Sequence, residues 1–233
     1  MHLNILHTKN LDIFEQLKLE EALIKKSDSS FCIINEGSKR AIVLGCSNNP
    51  NSLINYALLK KENIPLIKRF SGGGTVVVDQ NTIFVSFIFS KELLCFSFPE
   101  QIFRWSEVFY KKIFDMPFFS FKENDYIIKG YKCGGNAQYI RKNRWLHHTS
   151  FLWDFDSNNM QYLLMPEKKP LYRKNRDHSS FLCKLKDHFS DKTLFIEKIK
   201  IELEKSFEVK KLSLKDLYKK TENISCDLAT TIL

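Results

Sequence analysis

The stretch RFSGGGTVVVDQNTIFVSFIF, Arg69–Phe89, sets three consecutive glycines between an arginine and two strand-type runs, in a chain that holds only 8 glycines among 233 residues. Glycine loses more conformational freedom on folding than any other residue, so three together at the mouth of a strand need a compensating reason. Two readings stand open: a strained turn or bulge, or a place where a ligand lies against the main chain. In the second, Gly72, Gly73 and Gly74 leave backbone N–H groups free to donate to an anion, and Arg69 adds a planar, permanent positive charge. The spacing is neither the Walker phosphate loop GxxxxGK[ST] nor the dinucleotide fingerprint GxGxxG. TVVVD and IFVSFIF, separated by Gln80–Thr82, predict two strands.

Outward from these strands, the pattern alternates in type. Asp12–Glu15 (DIFE) has the form of a helix start, and LKLEEALIKK continues it with helix formers and late cations. FCIIN and AIVLG flank EGSKR, so Phe31–Gly45 reads as a hairpin. Phe98–Phe114 has a helical pattern, YIIK and FLWDF read as strands, and Ile196, Ile199, Leu203 and Phe207 fall on one face of a late helix. No repeat and no Pro/Gly/Ser linker divides the chain. The expectation is one α/β domain of the α+β type spanning residues 1–233, a mixed, largely antiparallel sheet with flanking helices and a site over its glycine-rich edge.

Composition narrows the class. A chain 43% hydrophobic and 27% charged is of ordinary globular make-up. The longest apolar runs, such as Ile83–Phe89, fall far short of the roughly 20 residues of a membrane helix, and Lys9, Asp12 and Glu15 interrupt the region where a signal peptide needs an apolar stretch. A cytoplasmic protein with no membrane partner is expected. Cys32, Cys46, Cys95, Cys133, Cys183 and Cys226 are scattered singly, without CxxC pairs or metal-ligand spacing, which predicts buried reduced thiols. The net charge of +9 predicts affinity for anions, whether nucleotide phosphates, nucleic acid, anionic lipid or an acidic protein, or simply a solvated basic surface.

A second stretch, NDYIIKGYKCGGNAQYIRKNRWLHHTSFLWDF (Asn124–Phe155), repeats the pairing of a cation with glycines: Lys132 stands at the end of a strand-like segment just before Gly134 and Gly135. Lys129, Arg141, Lys142 and Arg144 read as solvated charges, and on its own Lys132 reads as a surface lysine sooner than as a catalytic one.

Together these stretches resemble the lipoate-protein ligase A family, within the biotin and lipoate ligase superfamily. The resemblance is carried by RFSGGGTVVVD, by Asn124–Asp125, by the lysine of YKCGGNAQ and by HHTSFLWDFD, with MPEKKPLYRKNRDHSSFL similar to a stretch of a single-domain branch. The family implies a two-step reaction: lipoate attacks the α-phosphate of ATP to give lipoyl-AMP, and a lysine of an acceptor protein then expels AMP. Carried over residue by residue, Lys132 is the catalytic cation bridging carboxylate and α-phosphate. Arg69, Gly74, Thr75, Val76, Val77 and Lys132 bind ATP, and Arg69, Ser71, Gly72, Gly73, Gly74, Asp79 and Lys132 approach lipoate or the adenylate. Asp79 reads equally as a fold-supporting residue, and His147 and His148 as structural or acceptor-orienting. Mg²⁺ is expected with ATP, through ligands the sequence does not indicate. The implied partners are lipoyl domains of 2-oxo acid dehydrogenase acyltransferase subunits or the glycine-cleavage H protein, with an accessory subunit as a further candidate.

The chain departs from that family pattern. Val78 replaces a frequent His, Asn81–Thr82 a Gly-Asn pair, GCSNNP an Arg-containing segment before Asn-Pro, and Thr149 follows His148 with no intervening Gly. The late helix and LSLKDLY are expected to finish a catalytic domain, without the C-terminal accessory domain of two-domain ligases. These departures bear on adenylation more than on acyl transfer. They keep open a lipoyltransferase that takes preformed lipoyl-AMP or needs an accessory subunit, and an ATP-independent octanoyltransferase with a thiolate such as Cys133 or Cys183. The basic segments RKNR and KKPLYRKNR suggest a nucleic-acid module, but no nucleic-acid motif accompanies them, and no nucleic-acid partner is expected.

Overall fold

The computed structural model describes residues 2–221 and 227–233. In chain order it runs β1 (His2–Lys9), α1 (Ile13–Lys26), β2 (Phe31–Glu36), β3 (Ala41–Leu44), α2 (Tyr56–Glu62), β4 (Leu66–Lys68), β5 (Val76–Val78), β6 (Thr82–Ser90) and α3 (Pro99–Phe114). It continues β7 (Phe119–Lys122), β8 (Asp125–Ile128), β9 (Tyr131–Ile140), β10 (Arg144–Leu152), α4 (His178–Phe181), α5 (Lys192–Ser206), β11 (Glu208–Leu212), α6 (Leu214–Thr221) and β12 (Thr231–Ile232). The result is a mixed α/β fold with two sheets. The larger is ordered β11-β1-β2-β6-β10-β9-β8-β7 and the smaller β12-β4-β3-β5. Among the described strands, β1–β11, β1–β2 and β3–β4 pair in parallel and the other pairings are antiparallel.

The aromatic strands bury their side chains under α3 and α5. Phe87, Phe89, Trp145 and Phe151 from β6 and β10 meet Tyr110 and Phe114 from α3 and Phe195 from α5 in one core. The buried positions of α3, Ile102, Ser106, Phe109, Tyr110, Ile113 and Phe114, recur every three or four residues, the stripe a helix needs to lie on a sheet. Each such ring or branched side chain removed from water contributes about 1.5–3 kcal/mol.

Helix α1 joins the two sheets. Asp12 caps it, accepting from the Phe14 N–H at 2.9 Å, with Glu15 in the first turn and Lys25 and Lys26 in the last. Its first half places Ile13 and Leu17 against Val43, Ile67 and Val78 of the small sheet and Phe84 of β6. Its second half places Leu19, Leu23 and Ile24 against Phe31, Ile33, Ile88 and Leu146 of the large sheet.

Three expectations are corrected by this topology. Phe31–Gly45 is not a hairpin: β2 pairs with β1 and β6 in the large sheet, β3 with β4 and β5 in the small one. Both strands are buried on almost every residue, so neither shows the alternation that would tie its face to a partner. FLWDF ends as a strand at Leu152, after which Trp153 and Asp154 donate their N–H groups to the Asn81 carbonyl. The thiols are not uniformly buried. Cys32 and Cys133 are, Cys183 is half-buried, Cys46 and Cys95 are exposed, and Cys226 lies outside the described residues. Among the described residues no helix is long and apolar enough to cross a membrane.

Candidate functional site

The glycine stretch forms the loop from β4 to β5, and its main chain is turned inward onto Arg69. That side chain is only 5% exposed. Its Nη2 donates to the carbonyls of Gly74 at 2.8 Å and Gly72 at 3.0 Å, and its Nε to Gly72 at 3.3 Å. Burial lowers the guanidinium to about 10, which leaves it charged at neutral pH. Gly73 holds φ at +109°, and a Cβ there would lie 2.8 Å from Arg69 Nη2. Gly45, just after β3, is required from the other side, since its Cβ would meet the Gly73 carbonyl at 2.3 Å. Asn48 Nδ2 ties the loop further, donating to the Gly73 carbonyl at 3.1 Å and to Thr75 Oγ1 at 3.2 Å. Gly74 differs: a Cβ there faces open space. The two readings of the glycines therefore divide by residue, with Gly73 needed for the path of the chain and Gly74 keeping the loop bare toward the cleft.

Lys132 is the second residue of β9, directly after the β8–β9 hairpin, and not at the end of a strand as the sequence suggests. Its Nζ lies 2.7 Å from Asp125 Oδ1, with side-chain exposures of 21% and 9%. The other Asp125 oxygen accepts the Tyr172 hydroxyl at 2.7 Å. Burial and the neighbouring carboxylate push that hydroxyl far above the usual tyrosine range. Gly134 and Gly135 sit within the strand and do not form an exposed loop. A Cβ on Gly134 would strike the Phe151 ring at 2.7 Å, and one on Gly135 would press on Lys132 Nζ at 3.1 Å. Gly135 thus clears the path of the lysine side chain. Successive strand residues face opposite ways, so Cys133 turns into the aromatic core, where burial raises its thiol well above the ordinary range. It is not placed to act as a nucleophile beside Lys132.

A cleft of about 1120 Å³ joins these parts. Arg69, Gly72, Gly73, Gly74, Thr75, Val76, Val77 and Lys132 all line it. Ile13, Leu17, Val78 and Phe84 supply apolar wall, whereas Asn124, Asp125, Lys132, Lys168, Lys169 and Arg173 supply polar wall. Such a cavity suits a ligand with an apolar body and an anionic head. Ser71 and Asp79 do not line it. Ser71 is 1% exposed, and its Oγ has no hydrogen-bond partner among the described residues. Asp79 holds a turn, accepting from the Asn81 N–H at 2.8 Å and from Asn159 Nδ2 at 3.2 Å, with its carboxyl raised by burial.

The adjacent histidines part company in the same way. His148 reaches the cleft, and its Nδ1 lies 3.0 Å from Glu20 of α1, whose Oε1 accepts from Ser86 at 2.6 Å. His147 faces the core between the Tyr126 hydroxyl at 2.8 Å and Gln138 Nε2 at 3.2 Å. Burial first, then His148, lowers it to about 3, so it is neutral at physiological pH. Glu20 escapes a reading of the sequence because nothing local marks it, and Asn48, Tyr172 and Arg173 lie in the quoted stretches GCSNNP and KKPLYRKNR without being singled out there. Only the fold brings them to the glycine loop and Lys132.

Residues 12–208 match the family model described as the lipoyl protein ligase A/B catalytic domain. Among curated relatives, the inactive lipoate–protein ligase 2 of Plasmodium falciparum is 32% identical over 265 residues, which takes in 84% of this chain and 68% of that protein. A solved lipoate-protein ligase A bound with ATP superposes with a TM-score of 0.74 at 16% identity, covering 94% of this chain and 92% of that one. A chain from the bi-partite lipoate protein ligase and E2 lipoyl domain system of Thermoplasma acidophilum superposes with a TM-score of 0.75 at 18% identity, covering 94% and 91%.

Proposed function

This chain belongs to the lipoyl protein ligase A/B catalytic-domain family, and we propose that it activates lipoate with ATP as lipoyl-AMP and passes the lipoyl group to a lysine of an acceptor lipoyl domain. The observation that carries the reading is that one cleft unites the apolar wall, the glycine loop and the Lys132–Asp125 pair. In the first step a lipoate carboxylate oxygen attacks the α-phosphorus, the bond to the β-phosphate oxygen breaks, and pyrophosphate leaves. Both reactants are anions, so a fixed cation between them lowers the barrier, and Lys132 is held for that role by Asp125, itself steadied by Tyr172. In the second step the acceptor amine attacks the acyl carbon, sheds a proton and expels AMP. Among the described residues no cluster of three or more His, Cys, Asp or Glu side chains forms a metal cage. Mg²⁺ carried in on the triphosphate needs none, because it keeps several of its waters.

A second reading, transfer from preformed lipoyl-AMP or adenylation with an accessory subunit, is favoured by two similarities: a relative named an inactive ligase and a structural neighbour that is one part of a bi-partite ligase. Mass spectrometry of a purified apo lipoyl domain separates the two. The ligase reading expects the lipoyl mass shift both with lipoate and Mg-ATP and with synthetic lipoyl-AMP. A shift with lipoyl-AMP alone establishes the transferase, and no shift in either arm removes both readings.

A further inference from the structure

The strand of Lys132 has a neighbour outside the named sheets. Lys132 on β9 pairs in parallel with Leu182, just after α4, and its carbonyl accepts the Cys183 N–H at 2.9 Å. One residue further along that register, Cys133 stands beside Cys183, and side chains at paired positions leave on the same side of the ladder. Paired strands lie about 4.8 Å apart, inside the roughly 4.4–6.8 Å between Cα atoms that a disulfide spans. Both side chains belong to the aromatic core: Cys133 is 0% exposed within it, and the half-buried Cys183 packs against it.

The two thiols differ in what they can do. Cys133 Sγ is closed off from solvent, 3.3 Å from the Tyr126 carbonyl. Cys183 Sγ lies 3.6 Å from the Tyr131 carbonyl and keeps part of its surface open. The adjacent Cys133 thiol, by hydrogen bonding to the Cys183 sulfur, holds Cys183 below the ordinary cysteine range. Cys32, equally buried in the same core, is raised by burial alone. The thiolate is the form of cysteine that oxidises, so the pair offers one accessible sulfur to an oxidant and one sheltered sulfur to meet it.

We infer that Cys133 and Cys183 form a redox-active pair, a site of oxidative modification that a hydroperoxide closes to a disulfide between β9 and the chain after α4. The Cys183 thiolate attacks a peroxide oxygen, the O–O bond breaks, and Cys183 becomes a sulfenic acid while the departing hydroxide takes a proton. The Cys133 sulfur then attacks the Cys183 sulfur. The S–O bond breaks, the S–S bond forms, and the Cys133 proton leaves with the hydroxide as water. Two thiols are thereby oxidised by two electrons and one hydrogen peroxide is reduced to two waters. The bond fastens the segment that carries Phe181 and Leu182, both part of the cleft wall, to the strand of Lys132. The inference stands apart from the ligase reading, and its test reads no activity.

The folded full chain is treated with hydrogen peroxide until the exposed Cys46 and Cys95 are oxidised, its remaining thiols are alkylated, and its peptides are mapped by mass spectrometry. The expected product is a peptide pair joining Cys133 to Cys183, lighter by two hydrogens and separated again by dithiothreitol. In Cys133→Ala the oxidation should stop at the Cys183 sulfenic acid, which dimedone traps. Should Cys133→Ala fail to fold, dimedone added to the wild type during oxidation should label Cys183 at the expense of the linked pair. Cys133 and Cys183 both alkylated as in the untreated chain, Cys183 joined to any other cysteine in place of Cys133, or a Cys133–Cys183 bond that forms only in urea overturns the inference.

Discussion

Gly73 and Gly74 are neighbours with different obligations, and substitution can separate them. At Gly73 any side chain meets both an unfavourable φ and the Arg69 guanidinium. Gly73→Ala should therefore cost about 1–3 kcal/mol, seen as a lower melting temperature. Gly74 faces open space, so Gly74→Val should keep the wild-type melting temperature while blocking lipoyl-AMP. Normal adenylate titration by Gly74→Val would show that nothing approaches the main chain there. Lys132 requires a similar separation. Removing its ammonium leaves Asp125, 9% exposed on its side chain, with the Tyr172 hydroxyl as its remaining hydrogen-bond partner among the described residues. Lys132→Ala should lose stability as well as about 10² to 10³ in adenylation rate. Adding Asp125→Asn removes the stranded charge, so the double variant should regain stability and remain inactive. A double variant that regains activity would sink the bridging role.

Elements whose identity depends on local pattern could be read from the sequence, and those defined by pairing could not. Asp12 and the helix formers after it mark α1, and the spacing of Ile196, Ile199 and Leu203 marks α5. β12 is two residues long and exists only because it adds to the edge of β4, with the preceding Ala229 and Thr230 N–H groups held by the buried Glu21 carboxylate. No propensity marks such a strand. The same split holds inside the site: the glycine loop and Lys132 are visible as motifs, whereas Tyr172 gains its meaning from Asp125 and the Lys132 hairpin. β10 shows how much depends on register, since one residue's shift exchanges the environments of His147 and His148. His147, held near 3 by burial, stays neutral in the folded state, while an unfolded histidine takes up a proton near pH 6.5. Its contribution to stability is thus complete above pH 6.5 and is lost as the pH falls from there toward 3, by up to about 1.4 kcal/mol per pH unit for one proton. Urea denaturation between pH 7 and 5 should show that slope, and His147→Gln should flatten it. An unchanged slope in the variant assigns the pH dependence elsewhere.

At the scale of the whole molecule, the fold sorts a net charge of +9 that composition alone leaves undirected. The cations of residues 129–144 do not form one surface. Lys129 lies at the hairpin before β9, with its ammonium over the Phe118 ring. Arg141 and Arg144 lie beyond the other end of β9, a strand of 10 residues and so about 33 Å long. Both are engaged there, Arg141 with the carbonyls of Ile24 and Lys25, Arg144 with that of Ser29. Lys168 and Lys169 instead border the cleft, where the proposed reaction has an acceptor lysine enter. If an acidic lipoyl domain docks on this rim, exposed charges should govern its rate of encounter more than its affinity. Raising ionic strength from about 0.01 M to 0.15 M shortens the screening length from roughly 30 Å to 8 Å, so transfer from lipoyl-AMP should slow while its formation changes little. Lys168→Glu with Lys169→Glu should slow transfer at low salt and approach wild type as salt rises, whereas Lys142→Glu, at the distant end of β9, should not. Measuring the two steps separately across that range, at fixed free Mg²⁺, decides the matter: transfer no more sensitive to salt than adenylation would leave the cleft-side lysines without a docking role.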